Sequence, residues 1–312
     1  MPGTRTPSAP VVSEQMRECL LAAEVRGRRA ALRGKVSRQV PALAAVSPAR
    51  FAMAVATVDG TEAYIGEAGT GFSIQSLSKL FALCALLRHE PDVWTDVGWV
   101  PTEAGYGSVA DLERNHWRPR NPFVNSGALV VTDRLLTHTG DAVGSTIAVV
   151  RAGDPDAEVH SDAQVARSEG ESDHRNSAIA HVLAEHGRLV NDIDRVLPQY
   201  FAQCAITASV RTIARAALFL ADRSGERTVL DHDSVRRVNA VLLTSGMYGA
   251  AGDIAYRIGL PAKSGIGGGV LAVMPGRGTV CVWSPPLDDD GNSAGGVAAI
   301  EEFARLAGWS VF

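Results

Sequence analysis

Ser76 stands at the head of an apolar run, residues 77–87, and Lys79 follows three residues later. Residues three apart share a helix face, so a hydroxyl and an ammonium at this spacing can meet. Of 30 basic residues only Lys35, Lys79 and Lys263 are lysine, and the other 27 are arginine. Arginine keeps its proton in proteins, whereas a desolvated lysine can release it and act as a base. Two of the three lysines fall in the boxes Ser76-x-x-Lys79 and Lys263-Ser264-Gly265. That pairing points to acyl transfer through a serine, with Ser76 as nucleophile and Lys79 as its base. A serine at a helix N-terminus also brings its own backbone N–H to where an oxyanion would develop.

Other residue types fit the same chemistry, each against a plainer reading. The loop Ser264-Gly265-Ile266-Gly267-Gly268-Gly269 allows close backbone approach, and the Ile266 amide is a natural second oxyanion donor. Lys263, beside Ser264, is a second cation that would keep Lys79 neutral and bind an anionic substrate end. Asn125 precedes an apolar run, so it is either a helix cap or an inward-facing group that orients an amide. Glu169 lies in a Gly/Ser/Asp-rich loop and matters only if a substrate ammonium has to be paired. His174 reads as structural, with no second ligand at metal-binding spacing. Tyr200 and Tyr248 are the usual material of a core. Gly246 and Gly249, however, should expose Tyr248 on a turn, where a phenol can relay a proton.

The elements that must hold these residues follow from pattern. An amphipathic helix is expected from Ser13 to about residue 32. Residues 51–58, Asp59-Gly60 and 61–66 read as strand, two-residue turn, strand, and residues 270–284 as a second hairpin. A lone hairpin is barely stable in water, so the two should share one antiparallel sheet. Helices are expected at 128–137, 177–185, 207–223, 234–243 and 296–307. The class is therefore α+β. Residues 1–12 are expected to be a Pro/Ser/Thr-rich disordered tail, and 13–312 to be one catalytic unit. Within that unit, 13–70 and 260–312 make a mixed sheet and helix layer, and 71–259 a mainly helical part.

The composition, 46% hydrophobic and 21% charged, is that of a folded globular chain. A net charge of −4 with mixed signs favours neither nucleic acid nor an anionic membrane. No leader-like or membrane-spanning apolar run is present in the sequence, so a cytoplasmic location is expected. Cys19, Cys84, Cys204 and Cys281 have no Cys-x-x-Cys spacing and read as buried thiols of a reducing compartment, with no metal site.

Five strings occur in order: Phe72-Ser-Ile-Gln-Ser-Leu-Ser-Lys79, Pro119-Arg-Asn-Pro-Phe-Val-Asn-Ser-Gly-Ala128, Ser168-Glu169 with Arg175-Asn176, Gly246-Met-Tyr248, and Gly259-Leu-Pro-Ala-Lys-Ser-Gly-Ile-Gly-Gly-Gly269. Over about residues 20–308 the chain resembles the serine-dependent glutaminases, whose fold is similar to that of serine β-lactamases and transpeptidases. The resemblance implies an antiparallel sheet built from both chain ends, flanked by helices, with a helical insertion. It implies Ser76 as nucleophile, Lys79 as base partner and Tyr248 as proton relay. Ser76, Asn125, Glu169, Asn176, Tyr200, Tyr248 and the backbone of Ile266 would contact substrate, with Lys263 and Ser264 in support. The implied reaction is hydrolysis of L-glutamine to L-glutamate and ammonia, without a cofactor, in a dimer or tetramer of identical chains.

The chain departs from the family pattern in places. Gln39-Val40-Pro41 stands where the family carries Tyr-Ile-Pro, and Thr102-Glu-Ala-Gly105 where it carries Glu-Pro-Ser-Gly. Gly249 replaces an acidic residue and Ala251 a serine. The nucleophile and oxyanion donors are untouched. The alternatives left open are another amide or a β-lactam as substrate, or a non-catalytic protein that binds glutamine.

Overall fold

The computed structural model describes residues 13–227 and 229–312, so the expected disorder of residues 1–12 lies outside the described residues. The N-terminal helix spans Glu14–Ala31. Ser13 caps it by accepting from the Met16 N–H at 3.2 Å, and Arg28 and Arg29 in the last turn complement its dipole. Ala52–Thr57 and Glu62–Gly66 form the first hairpin. Its loop is one residue longer than the two-residue turn expected. Thr57 N–H donates to the Thr61 carbonyl at 2.9 Å, and Gly60 closes the loop at φ +89°, a conformation that costs glycine little.

Gly269–Met274 and Gly278–Trp283 form the second hairpin. Strand Ala52–Thr57 pairs with Gly278–Trp283, placing Ala54 opposite Cys281. Both hairpins therefore share one sheet, as expected, with Ala262–Ser264 added at the edge beyond Gly269–Met274. All pairings in this five-stranded sheet are antiparallel.

Successive strand residues point to opposite faces, and both faces are buried. Met53, Val55, Val280 and Val282 meet Leu20 and Ala23 of the N-terminal helix and Ile300 and Phe303 of the C-terminal helix Ala294–Ala307. Ala54, Leu271, Val273 and Cys281 face the helices on the other side. The two terminal helices approach closely at Gly27, where a Cβ would lie 2.9 Å from the Gly295 carbonyl.

Between the hairpins the chain is mostly helical. Ser78–Leu87 is buried at all ten positions, the mark of a central helix. Around it stand Asn125–Thr139, Ala163–Ser172, His174–Glu185 and Ile193–Cys204. The single helix expected at 207–223 is not formed. Ile206–Ala208 is extended instead, because it pairs with Phe72–Ser73 on one side and His160–Ser161 on the other. Ser209 then caps a short helix, Val210–Ala216, by accepting from Thr212 N–H at 3.1 Å. Cross-strand bonding to the segment before Ser76 outweighs the helical period of the later residues.

Candidate active site

Ser76 lies in a 3₁₀ turn, Gln75–Leu77, that leads from the strand Phe72–Ser73 into the buried helix. Gln75 has φ +48°, a left-handed conformation that bulky residues rarely adopt and that marks a sharp bend just before the serine. The glycine-rich loop is laid against this bend. A Cβ on Gly267 would sit 2.2 Å from the Ser73 carbonyl, and one on Gly265 would sit 3.1 Å from Ser76 N. Gly267→Ala should therefore lower stability by roughly 2–4 kcal/mol. Gly69→Ala, where a Cβ meets nothing within 4 Å, should leave the melting temperature unchanged. A scan of thermal unfolding for the two variants checks this.

Lys79 is 1% exposed although it stands in the first turn of its helix, because that helix is enclosed all round. Its Nζ donates to Asn125 Oδ1 at 2.7 Å and to the Phe123 carbonyl at 3.2 Å. Ser76 is not among its hydrogen-bond partners among the described residues; the Ser76 hydroxyl is near enough to the Tyr248 phenol to pull its acidity slightly back towards the ordinary value, against the larger effect of burial. Burial pulls the Lys79 ammonium down to about 8, against weaker opposing pulls from Cys204, Glu169 and Asp173.

Tyr248 is buried, not exposed on a turn. Its neighbour Gly246 is required by contact rather than exposure, since a Cβ there would lie 1.9 Å from the Ala262 carbonyl. Tyr248 itself has φ +56°, and its hydroxyl donates to the Ser264 carbonyl at 3.4 Å. Burial raises the phenol well above its ordinary range, so it stays neutral at physiological pH. Lys263 is fully buried and does not reach the cavity, so it cannot bind a substrate anion there. Its Nζ donates to the Ser264 carbonyl at 2.6 Å and lies 4.3 Å from the centre of the Tyr248 ring. Burial, reinforced by the charge of Lys79, depresses it well below an ordinary lysine. Ser264 Oγ in turn donates to the buried Asn292.

Asn125 caps nothing. Val124 holds the cap position, and the Asn125 side chain turns inward between Lys79 and Asn176, donating to Asn176 Oδ1 at 2.8 Å. Glu169 is not in a loop. It lies in the last turn of Ala163–Ser172, 6% exposed, a helix made possible by Asp162, which caps it by accepting from Gln164 and Val165 N–H. Burial first, then the neighbouring Asp173 carboxylate, raises Glu169 to about 7. Asp173 caps the next helix by accepting from Asn176 N–H at 2.8 Å and also accepts from the Asn176 amide.

One cavity of about 730 Å³ gathers these groups. Ser76, Asn125, Glu169, Asn176, Tyr200 and Ile266 all line it, with His174 exposed at its rim. The Ile266 N–H makes no hydrogen bond among the described residues. Lys79, Tyr248, Lys263 and Ser264 are buried and do not line this cavity. Sequence reasoning missed Gln75, Tyr106, Asp173 and Cys204, which also line the cavity. Only Asp173, in a capping pattern ahead of Asn176, left a readable signal. All four cysteines are buried and unpaired. Among the described residues no group of His, Cys, Asp or Glu is placed to hold a metal, and no helix is long and apolar enough to cross a membrane.

An antiparallel sheet made from both chain ends, two terminal helices on one face and a buried Ser-x-x-Lys helix behind the other define a protein of the β-lactamase-like fold. Residues 34–312 match the family described as Glutaminase. A glutaminase of Streptomyces coelicolor is 48% identical over 284 residues, 89% of this chain and 92% of that protein. The structure of a probable glutaminase, ybaS, superposes with a TM-score of 0.90 at 30% identity, over 97% of this chain and 99% of its own. The covalent complex between the Bacillus subtilis glutaminase YbgJ and 5-oxo-L-norleucine, formed by reaction with 6-diazo-5-oxo-L-norleucine, superposes with a TM-score of 0.83 at 27% identity, over 96% and 99% of the two chains. The chain belongs to the glutaminase family, hydrolases that act on the side-chain amide of glutamine.

Proposed function

We propose that the protein hydrolyses L-glutamine to L-glutamate and ammonia through a γ-glutamyl ester on Ser76. The observation that carries this reading is a continuous hydrogen-bond chain. Lys79 donates to Asn125, Asn125 donates to Asn176, and Asn176 donates to Asp173, one helical turn from Glu169. A base for the serine and a carboxylate for a substrate ammonium are thereby held in one rigid frame, which suits an amide that carries an α-amino group.

The Ser76 oxygen bonds to the side-chain carbonyl carbon while its proton passes, by way of the Tyr248 hydroxyl, to a neutral Lys79. With an ammonium held down to about 8, roughly a tenth of Lys79 is neutral at pH 7, enough for a base that recharges each cycle. The neutral Tyr248 phenol passes protons on and does not keep one. Backbone N–H groups of Ser76 and Ile266 hold the oxyanion. Collapse breaks the carbon–nitrogen bond, the nitrogen takes up the proton and leaves as ammonia, and water then cleaves the ester by the same route. The covalent complex described for the Bacillus subtilis relative agrees with an attachment of this kind.

The substrate ammonium pairs with Glu169, which must be ionised to receive it. With Glu169 raised to about 7, the free protein holds mostly the protonated form below that pH. The KM for glutamine is therefore expected to rise as pH falls below 7, approaching tenfold per pH unit, and to level off above it. A Glu169→Gln variant should have a high KM at every pH and lose that slope.

The same reading carries a cytoplasmic location, an assembly of identical subunits (dimer or tetramer) and no cofactor. The deciding experiment is ammonia release from a panel of amides beside hydrolysis of a chromogenic β-lactam. Glutamine turnover without β-lactam turnover supports the proposal, and the reverse result overturns it. A rise in melting temperature with glutamine and no ammonia would make the protein a glutamine binder.

A further inference from the structure

Tyr106 touches three parts of the site at once. Its hydroxyl donates to Gln39 Oε1 at 2.9 Å, and both residues line the cavity. Its ring packs on the ring of Tyr248 with centres 4.9 Å apart and planes tilted by 43°. Its carbonyl accepts from the Asn125 N–H at 2.8 Å, satisfying a backbone donor that the first turn of a helix leaves free. Tyr248 is a non-glycine residue at φ +56°, a strained backbone conformation that its surroundings must hold in place. The Tyr248 ring is held by contacts to the Tyr106 ring and to the Lys263 amine, which lies 4.3 Å from its centre.

Gln39 is itself tethered. The short helix that follows it, Pro41–Ala44, is fastened to the helix of Glu169 by the Ala42 N–H, which donates to Ser168 Oγ at 3.3 Å. Gln39 therefore offers Tyr106 an acceptor tied, through that short helix, to the helix that carries Glu169.

We propose that Tyr106, anchored by Gln39, is a positioning residue for the reaction, seating the Tyr248 phenol against Ser76. The inference rests on the Ser76 chemistry given above and adds to it a pair of residues that touch no reacting atom. Because the anchor is one neutral hydrogen bond, Gln39→Leu and Tyr106→Phe are each expected to lower kcat for glutamine by about 3-fold to 10-fold, with KM changed less. The double variant should fall no further than either single one, since both remove the same bond.

The test that separates positioning from mere structure is made in a Tyr248→Phe background. With no phenol left to seat, Gln39→Leu should then have no further effect on kcat. Multiplicative losses in the double variant, an equal Gln39→Leu effect without the phenol, or unchanged kcat in both single variants would overturn the proposal. Crystal structures of Gln39→Leu and wild type supply a readout independent of turnover. The Tyr248 ring displaced from Ser76 supports the proposal, and a ring left in place overturns it. A wild-type protein that released no ammonia would defeat the glutaminase chemistry while the ring position still decided this point.

Discussion

Ser76→Ala is expected to lower ammonia release from glutamine by at least about 10³-fold while leaving the protein folded and able to bind. The size of the loss follows from the covalent route. Without the hydroxyl no ester can form, and what remains is whatever the oxyanion donors and a positioned water achieve. Little else changes on substitution. Ser76 is half-buried in a 3₁₀ turn whose bend is set by Gln75, and alanine accepts the same backbone conformation. Glutamine should still raise the melting temperature of the variant, because Glu169, Asn176 and Asn125 are untouched. Steady-state ammonia assay and thermal unfolding with and without glutamine check both halves. Residual turnover within tenfold of wild type would exclude Ser76 as the nucleophile.

Lys79→Arg, which keeps the charge, is expected to lower kcat by about 10²- to 10⁴-fold, the range of a lost general base. Lysine at this site can release its proton because burial holds it down to about 8, whereas a guanidinium cannot release one. The arginine would also have to enter an enclosure where Lys79 is 1% exposed and its partners are an amide oxygen and a backbone carbonyl. A larger cation without a carboxylate partner destabilises such a place, so the melting temperature should fall as well. Lys79→Met fills the space without charge and separates the two effects. It should fold and bind glutamine, yet release ammonia no faster than Lys79→Arg. Rates rising with pH through about 8 in wild type, and flat there in Lys79→Met, would tie the ionisation to this amine.

The Ser76-x-x-Lys79 box, the sheet and several of the helices were legible in the chain itself, for local reasons, whereas Ala163–Ser172 and Ile193–Cys204 were not. Asp59-Gly60 and residues 275–278 dictate turns, alternating apolar residues dictate strands, and Ser13, Asp173, Asp231 and Ser293 cap helices through their own side chains. Ser76 lies in the 3₁₀ turn and Lys79 in the first turn of the helix that follows, so their spacing along the chain needed no tertiary information, whereas the Lys79 partners Asn125 and Phe123 did. Lysine scarcity singled out Lys79 for a reason of chemistry that burial then supplied.

What only the folded chain decided were matters of contact between distant segments. Glu169 in a polar stretch reads as solvated until the helix Ile193–Cys204 and the turn at Gln75 enclose it, and burial is what moves its acidity. Tyr248 between two glycines reads as exposed until the strand Ala262–Ser264 closes over Gly246. Asn125 reads equally well as a cap or as an inward group, and its orientation was settled by Lys79 and Asn176, which lie 46 and 51 residues away in the chain. Ile206–Ala208 became a strand because Phe72–Ser73 offered it a partner. The bond from Tyr106 to Gln39 spans 67 residues, and no motif announced it. Spacing along a chain specifies which groups share a turn or a face. Desolvation and pairing across the fold specify their charge and direction, and those belong to the tertiary structure.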